Sequence, residues 1–291
     1  MDYQLIDCGN GYKIEQFAKY IIARPEPQAF WELKQPLSYW YENADAFFER
    51  KKSDVISNKE DSGSWIKKEA MPSSFSMHIG KFGSHKIEAK LSLTSFKHLG
   101  IFPEQFSNWE FLHEVISKAD LDYPMLNLFA YTGMASVVSA AAGIQVVHVD
   151  SVKQVVNWCN ENRILSGVEP KIAWVIEDAM KYLRREVNRE KKYSVIVLDP
   201  PAYGRGANGE KWVLEKEIFE LLRLCKLLLA PKKSVLVINL YSMNISPVLL
   251  QNILVEADLW NANSVVFEQY IPYNNNKNKL PLGICGRIIN P

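Results

Sequence analysis

Residues 126–133 read Leu126-Asn127-Leu128-Phe129-Ala130-Tyr131-Thr132-Gly133, an apolar run that breaks into a turn of small residues before a helical pattern. Working outward, apolar runs recur at 125–129, 145–149, 172–176, 194–198, 234–240 and 264–270, separated by helical patterns. Strands that alternate with helices pair in parallel and are covered on both faces, so the pattern predicts a Rossmann-like α/β fold with a doubly wound, mostly parallel sheet. The last run, 282–289, follows only the loop Asn274 to Lys279. Without a crossover helix it must return antiparallel to its neighbour. Between the runs, a helix from Ser151 to Leu165 ends at Ser166-Gly167, where glycine accepts the left-handed position after a helix, and a second runs from Lys216 to Leu229 with Cys225 among leucines.

The chain before this region has a different texture. Residues 1 to about 92 read as short strands and turns: Gly9-Asn10-Gly11 marks a tight turn, and Phe75 to Ala89 alternates around Gly83 as a hairpin does. Trp31, Tyr39, Trp40, Tyr41, Phe47, Phe48 and Trp65 read as the core of a small domain, with base stacking as the sharper alternative. The charged, Ser/Gly-rich stretch Asp45 to Trp65 reads as an exposed loop. From Lys97 to Glu114, Pro103 opens a helix that buries Phe106, Trp109, Phe111 and Leu112. The expected organisation is a β-rich, substrate-binding subdomain at 1–92, a connecting segment and helix at 93–122, and a cofactor-binding domain at 123–291.

Composition excludes several classes. The 291 residues are 47% hydrophobic and 23% charged, with a net charge of +1, so no strong overall field recruits nucleic acid. Up to Asp120 the charge is −2 and beyond it +3, so neither part is a basic tail. Cys8, Cys159, Cys225 and Cys285 form no CxxC pair, which signals neither a zinc site nor a disulfide framework. No apolar run approaches the roughly 18 residues of a membrane helix, and the N-terminus lacks a signal-peptide pattern. The expectation is a cytoplasmic protein with no metal and no membrane partner; nothing in the sequence sets its oligomeric state.

The turn after Leu128 decides between two cofactors. A dinucleotide needs several glycines so that its pyrophosphate can approach the backbone. Here Phe129-Ala130-Tyr131-Thr132-Gly133 offers one. S-adenosylmethionine (SAM) carries no phosphate and asks only for a close loop and hydrogen-bond acceptors, so the single glycine favours SAM. Asp150 ends the second run, where a carboxylate takes both ribose hydroxyls; this is compatible with capping the helix that begins near Ser151. After the third run, Asp178 is placed to accept from the adenine amino group beside Ala179, and an acid that merely opens the next helix has the same appearance. Asn127 and Phe129 line the loop or pack beneath it.

The fourth run ends in Asp199-Pro200-Pro201-Ala202-Tyr203-Gly204-Arg205. Two prolines remove two donors and stiffen the exit, which presents free carbonyls to the crevice. Beside a SAM site, Asp199 and the Pro200 carbonyl would hold the reacting group of a substrate, with Asp199 also touching the cofactor. Tyr203 would stack on a planar ring, and Pro201 and Arg205 would lie on the substrate side. Methyl transfer is an in-line displacement in which alignment supplies much of the rate, which is what such an edge provides. Arg184-Arg185, Lys191-Lys192 and Lys211 are candidate phosphate contacts, although solvated helix surface is the commoner fate of such charges.

With these motifs in place, the chain resembles the SAM-dependent methyltransferases related to the bacterial 23S rRNA 5-methylcytosine methyltransferases, in the subgroup without a PUA domain. The resemblance runs through YQLIDCGNGYKIEQF, ARPEPQAFW, SFKHLGIFPEQFSNW, LNLFAYTG, VVHVDSVKQVVNW, LDPPAYGRGANGEKW and LPLGICGR. It implies a class I methyltransferase domain behind an N-terminal β subdomain, SAM as cofactor and RNA, notably ribosomal RNA, as partner. It also implies that Phe102-Pro103-Glu104-Gln105 closes over the SAM site, with Phe102 and Gln105 among the cofactor contacts. Enzymes of this group that methylate cytosine C5 carry a cysteine just after the fifth strand, whose thiolate adds to the ring. In Ile238-Asn239-Leu240-Tyr241-Ser242-Met243 that place falls to Ser242, a far poorer nucleophile. Cys285 is read as an ordinary buried cysteine before it is read as a substitute thiol. Methylation of a nitrogen or oxygen needs no such adduct. The competing readings are a SAM enzyme with a protein or small-molecule acceptor, and a non-catalytic RNA-binding protein that keeps the fold.

Overall fold

The computed structural model describes residues 1–50, 63–205, 211–241, 245–273 and 277–290. The chain forms two compact units. The first comprises Met1–Gly80, Glu88–Glu104 and Tyr270–Leu282, and the second Lys81–Ile87, Gln105–Gln269 and Gly283–Pro291. Residues 270–282 thus fold with the N-terminal unit, although they follow the apolar run 264–270 without a break. Leu5, Cys8 and Ala29 share one core with Ile271, Tyr273, Leu280 and Leu282, which explains the exchange.

In the first unit, β1 (Tyr3–Gly9), β2 (Tyr12–Phe17), β3 (Tyr20–Pro25), β4 (Ala46–Arg50) and β5 (Gly63–Lys67) form one sheet in that order. The meander β1-β2-β3 is antiparallel, β4 runs parallel to β3, and α1 (Leu37–Asn43) lies between them in the chain. Left-handed Asn10 and Gly11 make the first turn. The hairpin of β6 (Ser74–Phe82) and β7 (His85–Ser92) turns at Gly83 as expected. The expected loop from Asp45 to Trp65 is corrected at both ends: Ala46–Arg50 and Gly63–Lys67 are paired strands. Phe47 and Phe48 are buried, and their short apolar run was hidden by flanking charges; residues 51–62 lie outside the described set. Trp40 joins the core, while Trp31, Tyr39 and Tyr41 stand exposed.

This small sheet also buries charge. The Arg24 guanidinium donates to both carboxylate oxygens of Glu15, Tyr3 Oη donates to Oε1 at 2.9 Å, and Lys13 lies 3.0 Å from Glu26. Burial alone would raise the Glu15 carboxyl, but Arg24 and Lys13 hold it below the usual carboxylate range. Because removing one partner strands the other charge out of water, Arg24→Met is expected to cost about 3–5 kcal/mol, read by urea unfolding. Glu15→Gln combined with Arg24→Met should cost less than Arg24→Met alone. A single variant within about 0.5 kcal/mol of wild type would show the pair to be solvated after all.

Most of a seven-stranded sheet lies in the second unit: β8 (Met125–Leu128), β9 (Val146–Asp150), β10 (Ile172–Ile176), β11 (Val195–Leu198), β14 (Ser234–Leu240), β15 (Val265–Tyr273) and β16 (Asn278–Asn290). Its order is β10-β9-β8-β11-β14-β16-β15. The first five are parallel and β16 runs antiparallel to β14, as the sequence predicts. Every residue of β8, β11 and β14 is buried, the signature of strands covered on both faces. The covering helices are α2 (Phe106–Lys118), α3 (Met134–Ala141), α4 (Lys153–Leu165), α5 (Ala179–Asn188), α6 (Leu214–Leu228) and α7 (Pro247–Glu256). A short ribbon, β12 (Tyr203–Arg205) with β13 (Lys211–Val213), follows β11. The strand order reverses between β8 and β11, so the crevice at their carboxyl ends is where such a sheet binds ligands. Among the described residues, no helix is long and apolar enough to cross a membrane, and no cluster of three metal-ligating side chains occurs.

Candidate active site

Beyond Leu128 the backbone coils tightly. Phe129, Tyr131 and Gly133 all take positive φ, at 54°, 49° and 73°. Two of these are not glycine, and each such residue costs roughly 1–2 kcal/mol, so the surrounding structure has to impose the shape. The restraints are explicit. Ala130 N donates to Val149 O at 3.1 Å, Tyr131 N to Asp150 Oδ2 at 2.9 Å, and Asn162 Nδ2 to the carbonyl of buried Thr132 at 2.9 Å. Gly133 is required for space as well as for φ: a Cβ there would lie 1.9 Å from Cys159 Sγ. Asn127 does not line the crevice by its amide, which donates to Ser136 Oγ beneath the loop at 2.9 Å.

Asp150 receives two backbone donors, Tyr131 N on Oδ2 and Val152 N on Oδ1, each at 2.9 Å. Burial raises its carboxyl above the usual range against these amides and that of half-buried Ser151. The carboxylate's four lone-pair sites leave room for a hydroxyl beside these amides. On the adjoining strand, Ile176 registers with Asp150. Two residues on, Asp178 caps α5, its Oδ1 accepting from Lys181 N at 2.9 Å, with Ala179 buried behind it. The capping reading of Asp178 is therefore met through Oδ1.

Leu198 registers with Leu128 on one side and Ile238 on the other, which puts Asp199 at the reversal point between the loop and Asn239. Pro200 is buried and Pro201 exposed. The expectation of free proline-edge carbonyls is corrected in part: Pro201 O accepts from Trp212 Nε1 at 2.6 Å, and Ala202 O from Leu214 N at 3.0 Å. Trp212 also packs on Phe129, ring centres 5.0 Å apart, and so ties the edge to the 129–133 loop. Tyr203 is 72% exposed, its ring open to stacking. Arg205 continues the ribbon β12, and Ser242 lies outside the described residues.

Gln105 is buried and spent within its own unit: Nε2 donates to Tyr241 Oη, and Oε1 accepts from Asn108 Nδ2 at 2.7 Å. Asn108 in turn reaches Asn239 Oδ1 at 2.8 Å and accepts from Arg287 Nη2 at 2.6 Å and Cys285 Sγ at 3.4 Å. Phe102 belongs to the first unit, its ring tilted against His98. Of the basic candidates, Arg184 pairs with Glu220, Arg185 with Glu177, and Lys192 donates to Leu227 O. Trp212, Asn108, Asn239 and Tyr241 escaped the sequence reading because isolated polar or aromatic residues carry no spacing signal.

This donor set suits SAM: paired carboxylate lone pairs at Asp150, a glycine that keeps the loop close, and no run of amides shaped for a pyrophosphate. The model of the S-adenosylmethionine-dependent methyltransferase family matches residues 90–276. The chain belongs to that family. It is 36% identical to a SAM-dependent methyltransferase from Agrobacterium tumefaciens, over 99% of this chain and 90% of that one, with a TM-score of 0.87. A methyltransferase structure from Streptococcus mutans, 16% identical with a TM-score of 0.70 over 98% and 75% of the two chains, shares the fold. The ribosomal RNA large subunit methyltransferase K/L of Shewanella frigidimarina is 31% identical over 157 residues, 52% of this chain but 21% of that protein. The Shewanella sediminis protein of the same name is 31% identical over 48% of this chain and 19% of its own length. The chain thus matches about a fifth of the length of these curated relatives. The chain combines a class I methyltransferase fold with membership of the SAM-dependent methyltransferase family.

Proposed function

We propose that this methyltransferase acts in the cytoplasm on RNA, on a ribosomal RNA base, and that the methyl group goes to a nitrogen or oxygen. The observation that carries the choice of atom is the state of the thiols. All four cysteines are buried. Burial pushes Cys8 up to about 11 and Cys285 up to about 12, and raises Cys159 and Cys225 further. A thiol so far from ionising is no nucleophile toward C6 of a pyrimidine. The names of the K/L relatives support the RNA half of the reading.

Bound SAM supplies an electrophilic methyl on a sulfonium. In the proposed division of labour, Asp150 holds the ribose, Asp178 the adenine through its free oxygen, and the 129–133 loop the methionine end. Asp199 accepts a hydrogen bond from the acceptor N–H or O–H and so turns a lone pair toward the methyl, while the exposed Tyr203 ring stacks on the base. Residues 1–92 would grip the substrate. A protein or small-molecule acceptor is the second reading, since Asp199 and Tyr203 would serve any planar acceptor.

Label from tritiated SAM, followed into rRNA, protein and metabolite fractions, tests the substrate class. Mass spectrometry of rRNA nucleosides from cells with and without the protein tests the atom. The expected result is one missing N- or O-methylated nucleoside. A missing 5-methylcytidine would overturn the choice of atom, and label that never enters RNA would overturn the substrate.

A further inference from the structure

His148 takes no part in the chemistry proposed above, yet it lies directly under the loop. It stands on β9 two residues before Asp150 and is fully buried. Its Nδ1 is 3.0 Å from Ser136 Oγ, the same oxygen that accepts from Asn127 Nδ2. With Asn127 donating to that oxygen, the Ser136 hydroxyl proton is available to Nδ1, an arrangement that fits the neutral Nε2–H tautomer. Burial pushes its pKa down to about 3, and the Tyr131 backbone is the one opposing influence. Nε2 itself is buried and has no partner of regular hydrogen-bond geometry among the described residues. Trp174 closes the ring's surroundings edge-on at 5.4 Å, and a Cβ on Gly133 would meet His148 Cε1 at 2.8 Å.

A buried donor left without a good partner calls for a reason. The reason here is the residue above it. Tyr131 is left-handed, its N–H is held by Asp150, and its backbone is what acts on the ring. We infer that His148 is a positioning residue of the SAM loop: its Nε2–H is held for the Tyr131 carbonyl, and the Asn127–Ser136–His148 chain keeps Tyr131 in the left-handed shape that brings the loop to the cofactor. Asn127 thereby acts through Ser136 and His148, not by touching SAM.

This inference rests on the assignment of the 129–133 loop to SAM, and the test separates the two. Titration calorimetry with S-adenosylhomocysteine on the full chain gives the affinity, and nitrogen-15 NMR gives the tautomer. Wild type is expected to show the neutral Nε2–H form at neutral pH. His148→Leu, which has no donor, should weaken binding about tenfold or more, whereas His148→Gln, whose amide can donate from the Nε2 position, should stay within about threefold. Ser136→Ala, the milder change should the leucine variant not fold, should fall between them and lose the single tautomer. Folded His148→Leu that binds within twofold of wild type, or His148→Gln as weak as the leucine variant, would overturn the inference. A wild type that does not bind, or an Asp150→Ala variant that binds as well as wild type, would instead overturn the loop assignment.

Discussion

Asp199→Ala is expected to lower kcat for methyl transfer by about 10²–10³-fold while the protein stays folded and still binds S-adenosylhomocysteine. The magnitude follows from position. Asp199 leaves β11 at the reversal point of the sheet, between the loop that follows β8 and Asn239 at the end of β14. Pro200 beyond it is buried, and Pro201 is tied through its carbonyl to Trp212, so the backbone that carries the carboxylate cannot drift. Removing the side chain keeps the Trp212–Pro201 tie and takes away the acceptor proposed to orient the substrate. A loss in kcat with little change in KM for SAM is therefore the signature. Asp199→Asn, which keeps an oxygen but not the charge, should retain part of the rate. Unchanged turnover in Asp199→Ala would remove the residue from the mechanism. A parallel loss of SAM binding and melting temperature would make it structural.

The central sheet was legible because its strands are buried on both faces and so appear as continuous apolar runs. The places of Asp150 and Asp199 at strand ends were legible for the same reason, since each is the first charge after such a run. Features that depend on distant pairing were not. The Asn108–Asn239 bond spans 131 residues, and neither asparagine differs in its local sequence from a surface one. Nothing in the sequence around Trp212 signals that its indole lies on the Pro201 carbonyl. The strands β4 and β5 were lost among flanking charges. The transfer of residues 270–282 to the first unit follows from a core shared with β1, which no local pattern reports. The lone His148 carried no spacing signal either, and only the loop above it gives it meaning.

The same loop yields the largest expected effect on stability. Gly133 begins α3 at φ +73°, and a Cβ would lie 1.9 Å from Cys159 Sγ, 2.8 Å from His148 Cε1 and 2.9 Å from Cys159 Cβ. Gly133→Ala therefore combines two costs: a left-handed alanine, about 1–2 kcal/mol, and overpacking against α4 and β9, typically about 1–3 kcal/mol. The sum is about 2–5 kcal/mol, read as a lower urea midpoint at an unchanged m-value, with weaker cofactor binding because the loop itself must shift. Cys159→Ala added to it removes the closest clash but neither the His148 contact nor the φ cost. The pair should therefore be less destabilised than the two single effects added, by about 1 kcal/mol or more in a double-mutant cycle. Strict additivity would mean that the glycine is needed only for its backbone angle. Complete rescue would mean that only space matters. The partial rescue expected here would show that Gly133 serves both demands, with Cys159 as the inert wall against which the 129–133 loop is packed.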